Sequence, residues 1–312
     1  MKIVELTYPH HYNPEIDDQS VCAIGFFDGI HKGHQRVLQT AKKTAEDLNE
    51  KLAVMTFTPH PLEVLKKNQT HVTYLTQLEQ KKAILSDLGV DLLYLIHFDL
   101  TVAQLEPQMF IDYYIVNLKI NHLVCGFDFT YGHRGAGNVH TLPNHANKRF
   151  DITIVEKYSE DNQKVSSTRI RQLLAEGKVD RAKNLLTRPL MTRGTVIHGH
   201  KRGREIGYPT ANLAIDPTQA LPGLGVYYVT VDIDGEIKHG MASLGYNPTF
   251  DDSSDHQLIK FEIHLLDFNE DIYGKQISVY WQKFIRPEYK FESVEGLIDQ
   301  LKQDEVEIRQ LF

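Results

Sequence analysis

Five short apolar runs punctuate the first half of the chain, at 21–24 (Val-Cys-Ala-Ile), 52–57 (Leu-Ala-Val-Met-Thr-Phe), 92–96 (Leu-Leu-Tyr-Leu-Ile), 122–125 and 152–155. Between them, hydrophobic residues recur at helical spacing. Val37, Leu38, Ala41, Ala45 and Leu48 form one such stretch, and Leu78 to Leu88 another, which stops at Gly89, a good C-cap. Continuous apolar strands alternating with amphipathic helices predict a parallel sheet covered on both faces. Right-handed crossovers make such a sheet doubly wound, with ligands expected at the carboxyl ends of its strands.

The pattern changes in the second half. Tyr227, Val229, Val231 and Ile233 alternate with Tyr228, Thr230 and Asp232; Ile259, Phe261, Ile263 and Leu265 repeat the period, as do Ile277, Val279 and Trp281. Period-two strands joined by turns at Asp234-Gly235 and Tyr273-Gly274 predict an antiparallel barrel or sandwich. Ser293 is placed to cap a final helix with Val294, Leu297, Ile298 and Leu301 on one stripe. Arg188-Pro189 reads as a linker, so the domains are expected at 1–185 and 186–312.

Composition narrows the class. A chain of 312 residues accommodates two domains of ordinary size. No apolar run approaches a membrane span, and Met1 to Glu5 shows no secretory pattern. Cys22 and Cys125 lie in strand-like apolar runs, which fits buried thiols in a reducing cytoplasm. The formal charge of −7 argues against a general nucleic-acid binder.

The candidate chemistry begins at residues 25–34, Gly-Phe-Phe-Asp-Gly-Ile-His-Lys-Gly-His, between an apolar strand and an amphipathic helix. Gly25 and Gly29 allow a sharp turn and close approach to a ligand. His31 and His34 share a face if the helix starts there, and a helix N-terminus with two imidazoles and Gly33 suits nucleotide phosphates. Zinc would need further ligands, and neither cysteine has a C-x-x-C partner. Residues 165–171, Val-Ser-Ser-Thr-Arg-Ile-Arg, precede another helix; hydroxyls there either cap free N–H groups or bind phosphate, and Arg169 or Arg171 adds a fixed charge. Thr56 to Pro61 ends a strand in a loop that Pro59 and Pro61 stiffen around His60. Asp128, after the fourth strand, is either a site carboxylate or a turn former.

F-D-G-x-H-x-G-H resembles the nucleotidylyltransferase signature. Together with T-F-x-P-H-P, G-x-D-F-x-x-G and S-S-T-x-x-R, in that order, it resembles the FAD synthetase module of the bacterial bifunctional riboflavin kinase/FAD synthetases. The resemblance implies a nucleotidylyltransferase-type doubly wound domain that adenylates FMN. It places ATP phosphates at Gly25, Phe26, Asp28, Gly33, Ser167, Thr168 and Arg171, with His31 and His34 catalytic. Pro59, His60, Pro61 and Asp128 are the FMN-side candidates.

No P-loop pattern occurs. Residues 199–212 instead read Gly-His-Lys-Arg-Gly-Arg-Glu-Ile-Gly-Tyr-Pro-Thr-Ala-Asn. Gly199, Gly203 and Gly207 with Lys201 among the interleaved cations suit a phosphate cradle, and Thr210 and Asn212 offer neutral oxygens for magnesium. The Pro209-Thr210-Ala211-Asn212 ending resembles the riboflavin kinase signature. In the strand at 258–265, Lys260, Glu262 and His264 face away from the apolar side. The resemblance makes Glu262 the general base on the ribityl hydroxyl, since an alcohol attacks poorly until its proton has an acceptor. Tyr246, Asn247, Trp281 and Arg286 are flavin-side candidates; for Trp281 an ordinary core position is equally open.

The implied whole is a bifunctional enzyme: a C-terminal antiparallel barrel with a closing helix makes FMN from riboflavin and ATP, and the N-terminal domain makes FAD and pyrophosphate. Magnesium serves both steps, and FMN and FAD are products rather than fixed prosthetic groups. Partners are riboflavin, FMN and ATP, with neither nucleic acid nor membrane expected. The rivals are a chain that retains one activity, and a flavin-responsive regulatory protein on the same domains, against which the acidic charge and Glu262 weigh.

Overall fold

The computed structural model describes residues 1–14, 19–65, 72–199, 202–246 and 259–312. The chain divides into two compact units, Met1–Ser167 and Thr168–Phe312.

In the first unit, β1 (Lys2–Leu6), β2 (Ser20–Ile24), β3 (Lys51–Thr58), β4 (Leu92–His97), β5 (Ile120–Gly126) and β6 (Asp151–Val155) form one sheet in the order β1-β4-β3-β2-β5-β6. Every pairing in it is parallel. Alternate strand residues feed two cores: Cys22, Ala53, Tyr94 and Leu123 join one, while Ala23, Val54, Leu93 and Val124 join the other. That two-sided burial is why the strands read as unbroken apolar runs. Helix α1 (Lys32–Leu48) buries Val37, Leu38, Ala41 and Ala45, and α2 (Leu78–Asp87) ends before Gly89 at φ +83°. Leu48 is exposed, because α1 stops there on Asn49 at φ +54°. The sheet grows in both directions from β2, so the loop after β2 sits at the topological switch point.

β1 carries no clear apolar run; as an edge strand it buries only Val4 and Leu6, too few to stand out from its polar neighbours.

The second unit starts with α3 (Ser167–Ala175), whose first residue closes unit one, and α4 (Val179–Leu186). Six strands follow: β7 (Met191–Ile197), β8 (Ala211–Ile215), β9 (Gly225–Ile233), β10 (Glu236–Tyr246), β11 (Ile259–Leu265) and β12 (Gln276–Arg286). They close as an antiparallel barrel in the order β7-β8-β11-β10-β9-β12. The predicted alternation fills it: Tyr227, Val229, Val231, Ile263, Val279 and Trp281 are all fully buried. Helix α5 (Val294–Arg309) is capped by the Ser293 hydroxyl, which accepts from the Gly296 N–H at 3.1 Å, and lays Leu301 and Ile308 against Tyr228, Met241 and Leu266.

The division at 167/168 lies upstream of the composition shift at 183–190, because α3 and α4 pack on the barrel. The Gly223 N–H donates to the Leu174 carbonyl at 2.8 Å, Lys183 donates to Gln282 at 3.0 Å, and a Cβ on Gly177 would press on the Phe284 ring at 3.1 Å.

Both cysteines are free and fully buried on neighbouring strands. Burial raises the Cys22 thiol and pushes Cys125 up to about 12. A folded value above the unfolded one adds stability that is complete below the unfolded value and is lost as pH rises toward the folded one. The first unit should therefore lose stability above about pH 9, by at most about 1.4 kcal/mol per pH unit for each thiol. Neither thiol should react with a thiol reagent near neutral pH until the unit is unfolded; prompt labelling of the native protein would contradict the buried assignment.

Candidate functional site

The loop after β2 is built around an imidazole cap. His31 precedes α1 in extended conformation, and its Nδ1 accepts the His34 N–H at 3.3 Å, which leaves the neutral ring's proton on Nε2. The two rings stack with centroids 3.7 Å apart and planes 14° apart. His31 is buried and His34 half-buried, so His31 orients its neighbour. A Cβ on Gly33 would meet the His31 ring at 3.2 Å, so glycine leaves room for the stack.

The rest of the loop is held in an uncommon backbone. Phe27 and Ile30 adopt φ +54° and +40° although neither is glycine, a conformation that costs on the order of 1–3 kcal/mol per residue. Both side chains are fully buried, which offsets that cost. The Asp28 carboxylate accepts the N–H groups of Leu75 and Thr76 at 3.2 and 3.1 Å, while its carbonyl accepts the Ser167 hydroxyl at 2.9 Å. The Phe26 carbonyl accepts two donors, Thr56 Oγ1 at 3.0 Å and Lys81 Nζ at 2.7 Å. The Gly25 N–H donates to Met55 at 3.1 Å. Gly25, Phe26, Asp28, Gly33, His31, His34 and Ser167 thus lie together; Thr168 and Arg171 follow Ser167 on α3, within the second unit.

The loop after β3 meets this one through an aromatic contact. The His60 ring stands 4.1 Å from that of Phe26 in an edge-on arrangement, and the His60 N–H donates to the Tyr74 hydroxyl at 3.0 Å. Pro59 precedes His60 in this loop. Pro61 lines a cavity of about 450 Å³ with Phe57, Phe98, Phe110 and Tyr131. Asp128 is exposed and accepts Lys164 Nζ at 2.6 Å.

In the barrel, Glu262 of β11 lies between Asn212 of β8 and Ser243 of β10 in the strand register. Residues directly opposite on one face bring their side chains together. The Thr210 hydroxyl stands 3.5 Å from Glu262 Oε1, and Lys260 pairs with Oε2 at 2.8 Å. His264 donates from Nδ1 to the Pro209 carbonyl at 2.8 Å, fixing the segment that carries Thr210. Gly199 passes so close to the Asn212 amide that a Cβ there would overlap it, and the same holds for Gly203 against the Tyr208 carbonyl. Gly207 turns at φ +82°. A cavity of about 410 Å³ opens beside Thr210 and Pro209, bordered by Arg204, Ile263 and Tyr273.

Two flavin-side candidates have other occupations. Trp281 is wholly inside the barrel, its Nε1 donating to Thr192 Oγ1 at 2.9 Å and its ring stacked on Phe261 at 5.1 Å; of its two readings, core is the one its surroundings favour. Arg286 forms a two-pronged pair with buried Asp304 of α5, at 2.9 Å to Oδ2 through both Nε and Nη2, and lies 4.6 Å over the Tyr289 ring. Tyr246 pairs with Ile259 through the backbone. Lys201 and Asn247 lie outside the described residues.

Sequence reasoning missed Lys81, Asp304 and Glu288, and placed Lys260 beside Glu262 without seeing that the two pair. Burial raises the Glu288 carboxyl, with Lys260 and Arg286 opposing the shift, and it packs over Gly245. Lys81 is 2% exposed and burial lowers its amine to about 8, against the opposing pull of Asp28. Lys81 and Asp304 had one available signal: each is a charged residue on the apolar stripe of its helix.

The comparisons with known proteins agree across the chain. Residues 13–169 match the FAD synthetase family and residues 186–312 the riboflavin kinase family. Proteins named bifunctional riboflavin kinase/FMN adenylyltransferase are similar over nearly their whole length: that of Listeria monocytogenes is 45% identical, covering 100% of this chain and 98% of its own. The Bacillus subtilis protein is 42% identical with the same coverage. A Streptococcus pneumoniae crystal structure named as a macrolide-efflux protein superposes with a TM-score of 0.89 at 38% identity, covering 98% of both chains. Among the described residues here, no helix is long and apolar enough to cross a membrane.

Proposed function

From the premise that this chain belongs to the bifunctional riboflavin kinase/FMN adenylyltransferase family, we propose that its two activities occupy the two constellations above. The enzyme phosphorylates riboflavin to FMN and adenylates FMN to FAD, the kinase being C-terminal and the FAD synthetase N-terminal.

In the kinase, Glu262 takes the proton of the ribityl hydroxyl as its oxygen attacks the γ-phosphorus of ATP. The new P–O bond forms as the bond to the β-phosphate bridging oxygen breaks, releasing ADP. The observation that carries this assignment is the cross-strand placement of Glu262 opposite Asn212, with the Thr210 hydroxyl beside its carboxylate. The glycine-rich segment at 199–207 and the cavity beside Thr210 take ATP. Magnesium fits this donor set, because it prefers hard oxygens and needs few from protein when phosphates supply the rest. Thr210 and Asn212 would hold it, and it would neutralise charge on the transferring phosphate.

In the adenylyltransferase, a phosphate oxygen of FMN attacks the α-phosphorus of ATP and pyrophosphate leaves. His34, oriented by His31, donates to the phosphates as charge builds toward the pyrophosphate. The start of α1 and the Asp28–Ser167 junction position the triphosphate. Thr168 and Arg171 carry their phosphate role on the sequence pattern alone. The aromatic cavity bordered by Pro61 takes the flavin ring of FMN, and Pro59 and His60, which precede Pro61 in the same loop, carry their FMN-side role on the sequence pattern. Asp128, paired with Lys164, is a further FMN-side group. The buried free thiols support a cytoplasmic setting.

A fragment spanning 168–312 should fold and make FMN but no FAD. A fragment starting at 186 lacks α3 and α4 and should unfold at lower denaturant concentration, because it forfeits their packing on the barrel. FAD synthesis by either fragment, or equal stability of the two, would contradict the assignment of activities or of α3 and α4. For the whole chain, the direct test is riboflavin with Mg-ATP, following FMN and FAD over time; failure to form either product would refute the corresponding site.

A further inference from the structure

Lys81 is a cation buried under the loop that carries His31 and His34, and burying an amine is unfavourable unless something is gained from its charge. Its Nζ donates to the Phe26 carbonyl at 2.7 Å and lies 4.2 Å from the centroid of the Phe26 ring. The charged group that bears on it is Asp28, also buried. From the segment at 73–77, Tyr74 holds its ring tilted beside Phe26, with centroids 6.1 Å apart, and donates to Glu63 at 2.6 Å, and its hydroxyl is raised chiefly by burial. From β3 and its following loop come Thr56, which shares the Phe26 carbonyl, and His60, which packs on the Phe26 ring. On α2 itself, Lys82 is paired outward with Glu79 at 2.8 Å.

The loop spanned by these contacts is the one with positive φ at Phe27 and Ile30. A strained backbone persists only when its surroundings over-determine it. Phe26 and Asp28 flank Phe27, and the Lys81 charge acts on both of them at once. We propose that Lys81 is a positioning residue for adenylyl transfer: its ammonium clamps the carbonyl and ring of Phe26, two residues before Asp28, so that the strained loop presents His31 and His34 to ATP. This rests on the reading of residues 25–34 as the adenylyl-transfer site. Lys81 touches no substrate; it acts through the backbone of the loop.

The charge can be removed by titration, since the amine sits at about 8. Stability and function then move in opposite directions. The folded value lies below the unfolded one, so between about pH 8 and 10.5 the unfolded chain binds more protons, and loss of the proton favours the folded state. A charge-assisted hydrogen bond is roughly twice as strong as a neutral one, so the same loss loosens the clamp. A residue that merely held the fold would not lower activity while its own titration favoured folding.

The test is kcat/KM for ATP in FMN adenylation from about pH 6.5 to 9.5, with riboflavin phosphorylation by the same preparation as reference. The parent enzyme should lose about threefold or more of its adenylation between pH 7 and 9.5, centred near pH 8 and without a matching fall in the kinase. Lys81→Met should lose about tenfold or more at pH 7 and show no such decline, while Lys81→Arg, charged throughout, should retain more activity and also lack the decline. A parent profile flat across pH 8 overturns the proposal, as does Lys81→Met at the parent rate or Lys81→Arg declining where the parent does. His34→Ala separates the two levels: if it impairs adenylation and Lys81→Met does not, the clamp alone is wrong. If His34→Ala leaves adenylation intact, the loop is not the site and the clamp falls with it.

Discussion

Glu262→Gln should lower riboflavin phosphorylation about a hundredfold or more, the usual scale of a lost general base, while FMN adenylation should stay near the parent rate. Glutamine keeps the volume and a hydrogen-bonding oxygen, so Thr210 retains a partner across the 3.5 Å gap. What disappears is the group able to take the ribityl proton. Lys260 loses its ion-pair partner, but that pair is partly exposed and such pairs contribute at most about 1 kcal/mol. The fall therefore belongs in kcat, with riboflavin and ATP affinities changing much less. Both activities and both affinities are to be measured on one folded preparation. Unchanged kinase turnover would remove Glu262 as the base, and parallel loss of both activities would point to a damaged fold.

The converse variant, His31→Ala with His34→Ala, should stop FAD formation and let FMN accumulate. Loss of charge stabilisation at a phosphoryl centre costs on the order of a hundredfold or more. Removal of the His31 cap adds a structural cost of about 1 kcal/mol, small enough for α1 to persist on its buried face of Val37, Leu38, Ala41 and Ala45. Separation of FMN and FAD after incubation with riboflavin and ATP reads the outcome. FAD at the parent rate would exclude these imidazoles from the chemistry.

The sequence disclosed the parts of the fold where burial is repetitive. Central strands of the sheet are covered on both faces, so β2 to β5 read as apolar runs, and the barrel's single interior makes its strands alternate. Elements whose burial depends on one local neighbour were harder to see. β1 contributes just two buried side chains. Composition points to the linker at Arg188-Pro189, close to where the riboflavin kinase match also begins, whereas the contact division falls at 167/168, because α3 and α4 pack on the barrel. In the site, the sequence singled out residue types with a short-range pattern: His31 and His34 at the start of α1, Ser167 at the start of α3, and Glu262 on the face of its strand away from the apolar residues. That Glu262 lies opposite Asn212 is seen only in the strand register. Lys81 was not singled out, since periodicity treats a lysine between apolar positions as a solvated interruption. Its burial follows from Phe26, 55 positions away in sequence. Asp304 was hidden likewise, its burial explained by Arg286 on a different element. In both helices, the charged residue on the apolar stripe was the trace of a long-range clamp.

The central claim is that FMN made at Glu262 is consumed at His31 and His34, in chemically independent sites. It is tested by mixing the two variants. Given riboflavin and Mg-ATP, the Glu262→Gln protein alone should form little FMN or FAD, and the double-histidine variant alone should stop at FMN. The two together should form FAD, as the FMN released by one is adenylated by the other. FAD from riboflavin at the parent rate by either variant alone would contradict the account.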